Sequence, residues 1–235
     1  MLVGHYAVAF AGKRLVSSVS LGTLFLATQF LDLLWPLFLL LGLEHVRVDP
    51  GNTAVTPLEF SNYPYTHSLA AAVFWALLFA AIFFWKRRKA LVAVVLFLCV
   101  MSHWLLDFVT HRPDLPLWPG NPDRVGLGLW HSLPGTMIVE LGLYALGVHL
   151  YLRATDPRVG KRTWGPWGLV TTLLVIQLTA YLAPYFDLLP PNEWAVIQVG
   201  FAQWFLVPWA YWVDRRRTAK AFRSDALFRL GADEA

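Results

Sequence analysis

Six stretches of the chain, about 16–43, 66–85, 90–110, 133–152, 166–184 and 194–213, are apolar enough to cross a bilayer as α-helices, which takes roughly 20 apolar residues each. Charged residues make up 14% of the chain and hydrophobic ones 57%, whereas a soluble domain carries about 25% charged residues. Because the apolar runs recur from end to end, a soluble enzyme on a single tether and a disordered chain are both excluded. The expected fold class is all-α, a polytopic membrane bundle of about six transmembrane helices. Residues 1–213 then form a single membrane-embedded helical domain, and residues 214–235 a basic amphipathic cytoplasmic tail. In that tail Arg215, Lys220, Arg223 and Arg229 interleave with Phe222, Leu227, Phe228 and Leu230, the pattern of an interfacial segment.

Cationic blocks flank the runs in alternation: Lys13-Arg14, Lys86 to Lys89, Arg153 to Arg162 and Arg215 to Arg217. The positive-inside rule makes these blocks, and both termini, cytoplasmic. The loops at about 44–65, 111–132 and 185–193 are then extracytoplasmic, in a multi-pass protein of a bacterial-type inner (cytoplasmic) membrane whose first partner is the lipid bilayer. The net charge of +4 sits at helix ends, where it orients spans; no nucleic-acid partner is expected. Cys99 is the one cysteine, so no intramolecular disulfide or CxxC metal motif exists and any metal must be held by His and carboxylates. Lys13 and Arg14 follow the first short apolar stretch instead of preceding it, the reverse of a cleaved signal peptide.

Ionisable residues inside spans carry a high desolvation cost and mark function by default. Counted along helices from the basic anchors, Asp32 lies about 27 Å, His67 about 28 Å, His103 about 21 Å, Asp107 about 27 Å and Glu140 about 20 Å above the cytoplasmic side. All five thus fall in the outer half of the bilayer core. His103, Asp107 and His111 follow at i, i+4 and i+8, on one helix face. An HxxxD pair suits a divalent metal because an imidazole nitrogen and a carboxylate oxygen converge one turn apart. With Asp32 and His67, which opens the second span after Pro64, it would make a nitrogen and oxygen site for zinc, manganese or iron. His5 is counted with the ligands, but folding up from Lys13 brings it only about 12 Å above the inner anchor, so it joins the site only if residues 1–12 re-enter the membrane or the site dips inward. Ser68 and Ser102 each adjoin a histidine, but neighbours in sequence diverge on a helix, and no GxSxG elbow, P-loop or dinucleotide fingerprint occurs.

The motifs Gly4-His5, Leu31-Asp32-Leu33 with Pro36, Tyr65-Thr66-His67-Ser68, and Ser102-His103 with Asp107, Thr110 and Leu117-Trp118-Pro119 resemble those of the LexA-regulated YdjM-like family. These are inner-membrane proteins grouped with metal-dependent hydrolases and distantly similar to zinc-dependent phospholipase C and P1-type nucleases. The resemblance covers about residues 1–120, and the run His111 to Leu117 with Gly126 to Trp130 extends it through the fourth span. It implies metal-assisted hydrolysis of a phosphoester. Leu34, Asn62 and Tyr63 stand where many relatives carry a second Asp and a His-Arg pair, so one or two metal ions are expected instead of three.

The expected activity is therefore that of a membrane-embedded metal-dependent hydrolase acting on a phosphoester of a lipid or small amphiphile. Asp32, His67, His103, Asp107 and His5 are the candidate metal ligands, with zinc the first choice. Glu140 and His111 are the candidate general bases, and Arg112 and Arg124 the candidate contacts to an anionic group. The alternative is a proton- or metal-coupled transporter; a noncatalytic membrane scaffold would need the polar cluster to be structural.

Overall fold

The computed structural model describes residues 1–159, 164–186 and 188–220. Lys161, Arg162 and the tail residues Phe222, Arg223, Leu227, Phe228, Arg229 and Leu230 lie outside them. Among the described residues four helices are long and apolar enough to cross a membrane: α4 (Leu69–Arg87), α5 (Ala90–Thr110), α6 (Leu133–Ala154) and α7 (Gly165–Leu182) with the short turn that follows it. A fifth is reached only if α2 (Leu21–Thr28) and α3 (Phe30–Leu40) count as one span bent by 55°. The stretch expected as a sixth span is divided into α8 (Glu193–Ala202) and α9 (Leu206–Asp214) by a 3-10 turn, and neither piece spans a roughly 30 Å core alone. The broken elements pack on each other, α2 on α9 and α3 on α8. Gly200 allows the second contact, since a Cβ there would lie 2.9 Å from Pro36 Cβ.

The largest difference from the sequence expectation is at the start of the chain. Residues expected to lie below the first span form α1 (Leu2–Leu15), whose Val3, Gly4, His5, Tyr6, Phe10 and Lys13 are all buried. It packs most extensively on α6, also touching α2 and α5. Gly147 makes this possible, because any Cβ there would stand 2.4 Å from the Ala7 carbonyl oxygen; close helix approach through small residues is how packing is gained where lipid removes the hydrophobic drive. Phe10 fills the space between Phe25 and Tyr151, with ring centroids 5.2 and 5.4 Å away. Met1 is buried as well, its amino nitrogen 3.2 Å from Asp107 Oδ1.

One end of the bundle gathers cations. Lys13 Nζ donates to Asp214 Oδ2 and to the Val19 carbonyl, both at 2.8 Å. The chain beyond α9 does not continue as an amphipathic helix within the described residues; β6 (Arg217–Ala219) pairs antiparallel with β5 (Thr155–Pro157). Arg217 is buried there, its Nε donating to Thr155 Oγ1 at 2.7 Å. The other end carries two small antiparallel hairpins, β1 (His45–Val48) with β2 (Leu58–Asn62), and β3 (Leu115–Pro116) with β4 (Arg124–Val125).

Candidate metal centre

Three local devices bring the polar side chains together. The first is the break after α2. Gln29 leaves helical geometry (φ −102°, ψ 7°), and the Thr28 carbonyl, which an unbroken helix would pair with the Asp32 N–H, instead accepts from His103 Nδ1 at 2.8 Å. The second is the start of α4, capped by Ser68 Oγ accepting from the Ala71 N–H at 3.1 Å; His67 sits just before this cap and its carbonyl accepts from Trp104 Nε1 at 3.0 Å. The third is the end of α3, where the Gly42 and Leu43 N–H groups bond back to the Leu39 and Phe38 carbonyls at 2.9 and 3.0 Å. That closure, a Schellman motif, needs a left-handed residue, supplied by Gly42 at φ +67°. It turns the chain so that Glu44 returns to the start of α4.

At the centre, Asp107 divides its oxygens. Oδ1 lies 3.1 Å from His5 Nε2 and 3.2 Å from the Met1 amino nitrogen, while Oδ2 lies 3.1 Å from His103 Nε2 and 4.0 Å from His67 Nε2. Asp32 Oδ1 is 3.3 Å from His67 Nε2 and 3.4 Å from His103 Nε2. Two triads, His5-His103-Asp107 and Asp32-His67-His103, each have ligand atoms within 4.8 Å of one another. His103 belongs to both, yet with Nδ1 committed to Thr28 its single Nε2 lone pair serves one ion. The side chain of Asp32 is 23% exposed while those of the other four are at most 5% exposed, so the cluster opens to its surroundings at Asp32.

The chemistry of this donor set fits a cation. His103 Nδ1 must donate, because its partner is a carbonyl, so that in the neutral ring it is an unprotonated Nε2 that faces two carboxylates. That nitrogen is buried without a hydrogen-bond partner, as is His5 Nδ1. Buried carboxylates facing lone pairs are costly; a divalent ion between them removes that cost and matches the hard-to-borderline N/O ligand set.

All five expected ligand residues thus meet. His5 does so because Lys13, the assumed inner anchor, is itself buried and tied to Asp214, which makes counting from it underestimate the height of α1. Glu140 does not join them by hydrogen bond: it is buried on α6, its Oε2 accepting from Tyr181 at 2.5 Å while Oε1 has no hydrogen-bond partner among the described residues. His111 also departs. α5 ends at Thr110, since the residue before Pro113 resists helical geometry, and His111 turns away in extended conformation (φ −62°, ψ 146°). Its Nδ1 meets Asp114 Oδ1 at 2.9 Å and its ring packs on Trp130. Tyr63 donates to the same Asp114 oxygen at 2.9 Å; burial, then the Asp114 charge, pushes its phenol above the ordinary value. Arg112 is engaged by Asp114 Oδ2 at 3.4 Å and Glu59 Oε1 at 3.9 Å, whereas Arg124 is exposed on β4. Sequence reasoning missed Glu44, Thr28 and Asp114; a carboxylate beside a loop carries no signal comparable to one within an apolar run.

The family model described as YdjM inner membrane protein matches residues 63–186, more than half of the chain. The chain belongs to the YdjM inner membrane protein family. It is an inner-membrane protein, in keeping with its membrane-length apolar helices. The region matched to the YdjM family contains His67, His103 and Asp107, while His5, Asp32 and Glu44 precede it. No curated protein and no solved structure matches the chain.

Proposed function

We propose that this YdjM-family protein is a metal-dependent hydrolase of the inner membrane, holding one or two divalent ions, zinc foremost, through His5, Asp32, His67, His103 and Asp107. The observation that carries the reading is the orientation of His103. Its Nδ1–H is used by Thr28 and its unpartnered Nε2 faces Asp32 and Asp107. The chemistry such an ion supplies is Lewis-acid activation of water and of a substrate oxygen.

The remaining roles fall to the chain's own residues. Asp107, with Oδ1 turned to His5 and Oδ2 to His103, would help hold the ion. Asp32 lies at the opening and so contacts whatever enters. Glu140 and His111 are the groups fitted to hold a proton, Glu140 through its unpartnered Oε1 and His111 through an imidazole oriented by Asp114. Of the two arginines, Arg124 is the better placed to meet an anion, since Arg112 is already held by carboxylates and Arg124 is exposed with no ion pair among the described residues.

The cationic end, with Lys13, Arg158, Arg217 and Lys220, is assigned to the cytoplasm by the positive-inside rule, which puts the cluster toward the outer leaflet and the two hairpins outside. Access through the partly exposed Asp32 suits a phosphate-bearing lipid or small amphiphile better than a folded macromolecule. Purified protein supplied with zinc or manganese is expected to hydrolyse a phosphoester in detergent or liposomes, to lose that activity to a chelator, and to be weakened by Arg124→Ala. Turnover of a carboxylic ester or amide amphiphile, with no phosphoester hydrolysed by the same metal-loaded preparation, would remove the phosphoester part of the reading. Chelator-sensitive ion flux without turnover would replace it with transport.

A further inference from the structure

Glu44 is fully buried, yet it belongs to none of the ligand triads. Its Oε1 accepts from the Tyr65 and Thr66 N–H groups at 2.7 and 2.8 Å, and its Oε2 from the Thr66 hydroxyl at 2.7 Å. The same hydroxyl oxygen lies 2.7 Å from His67 Nδ1. A hydroxyl has one proton to give. With that proton directed to Glu44, Thr66 can only accept from His67, so Nδ1 carries a proton; in the neutral ring this leaves Nε2 bare toward Asp107 and toward the Asp32 oxygen 3.3 Å away that a metal ion would share with it.

We infer that Glu44, acting through Thr66, is the positioning residue that fixes the His67 tautomer and so makes His67 a competent metal ligand. Outer partners of ligating histidines set ring orientation and tautomer in this way; here a hydroxyl is interposed between carboxylate and imidazole. The inference rests on the metal reading above, but the tautomer itself is a property of the metal-free chain.

The relay has a direction, and the direction can be reversed with one atom. In Glu44→Gln the two backbone N–H groups retain the amide oxygen at the Oε1 position, which turns the amide NH2 toward Thr66. The hydroxyl then accepts a hydrogen bond from the amide and must donate its own to His67 Nδ1. The ring proton is displaced to Nε2, where it blocks coordination. Thr66→Val removes the relay without reversing it, and Thr66→Ser preserves it.

The test combines two measurements on full-length protein in detergent. Histidine 15N NMR of the metal-free protein, with the His67 signal assigned by its loss in His67→Asn, is expected to show the Nδ1–H tautomer in wild type and Thr66→Ser and the Nε2–H tautomer in Glu44→Gln. Zinc affinity from competition with a chelator is expected to fall about 10- to 100-fold in Glu44→Gln and Thr66→Val, and to stay near wild type in Thr66→Ser. A Glu44→Gln protein that retains the wild-type tautomer overturns the inference, whether or not it loses zinc, since loss without a tautomer change would mark Glu44 as merely structural. Wild-type protein that binds no zinc would instead sink the metal reading, while the NMR still decides the relay.

Discussion

The imidazole of His5 lies flat on that of His103, with ring centroids 3.7 Å apart and planes 7° from parallel. Two imidazolium rings so close would repel strongly in a low-dielectric interior, whereas two neutral rings can share a cation with Asp107. His5→Ala is therefore expected to reduce zinc affinity by at least the roughly tenfold that loss of a mere outer partner costs, read by chelator competition. His149→Ala, exposed on α6, should leave it unchanged. Full zinc affinity in His5→Ala would remove α1 from the site.

The seat of α1 on α6 is tested at Gly147. A side chain there meets the Ala7 backbone at once, and overpacking of this kind costs about 1–3 kcal/mol. Gly147→Val should lower the thermal midpoint in detergent and weaken zinc binding together, because displacing α1 moves His5. Unchanged stability would show that the two helices do not touch as described.

How much of this was legible in the sequence depends on where each residue sits. His67, His103, Asp107 and Asp32 stood out because an ionisable group in an apolar run carries a desolvation cost that only a partner relieves. His111 lies past the end of α5, where i+8 spacing no longer implies a shared face, so periodicity misassigned it. Hydropathy read the α2–α3 bend and the α8–α9 break as continuous spans, since an apolar stretch records composition and not the path of the backbone. Glu44 was invisible for the converse reason: next to a loop a carboxylate is ordinary, and only the Gly42 turn and the Thr66 contact give it a role.

The Tyr63-Asp114-His111 group borders the ligand cluster, the Tyr63 ring standing 5.4 Å from that of His67, but supplies no ligand atom to either triad. Tyr63→Phe removes one hydrogen bond to Asp114 and is expected to cost about 1 kcal/mol of stability while leaving zinc content at the wild-type value. Loss of zinc in this variant would join the two clusters.

Orientation is checked by cysteine labelling from outside in whole cells, the native Cys99 being buried. A cysteine at Asp123, exposed beside the β3–β4 hairpin, should be labelled, and one at Lys89, exposed between α4 and α5, should not. Labelling at Lys89 alone would invert the molecule and move the cluster toward the cytoplasmic leaflet.

Whether the five-residue cluster holds a divalent ion is decided by the metal content of purified wild-type and His103→Ala protein, read by mass spectrometry and paired with histidine 15N NMR. One or two equivalents of zinc, or of manganese or iron, are expected in wild type, with a clear loss in His103→Ala and the fold retained. Folded wild-type protein that stays metal-free after zinc loading, with His103 protonated on both nitrogens, would mean that protons and not a metal balance Asp32 and Asp107, and would contradict the metal reading.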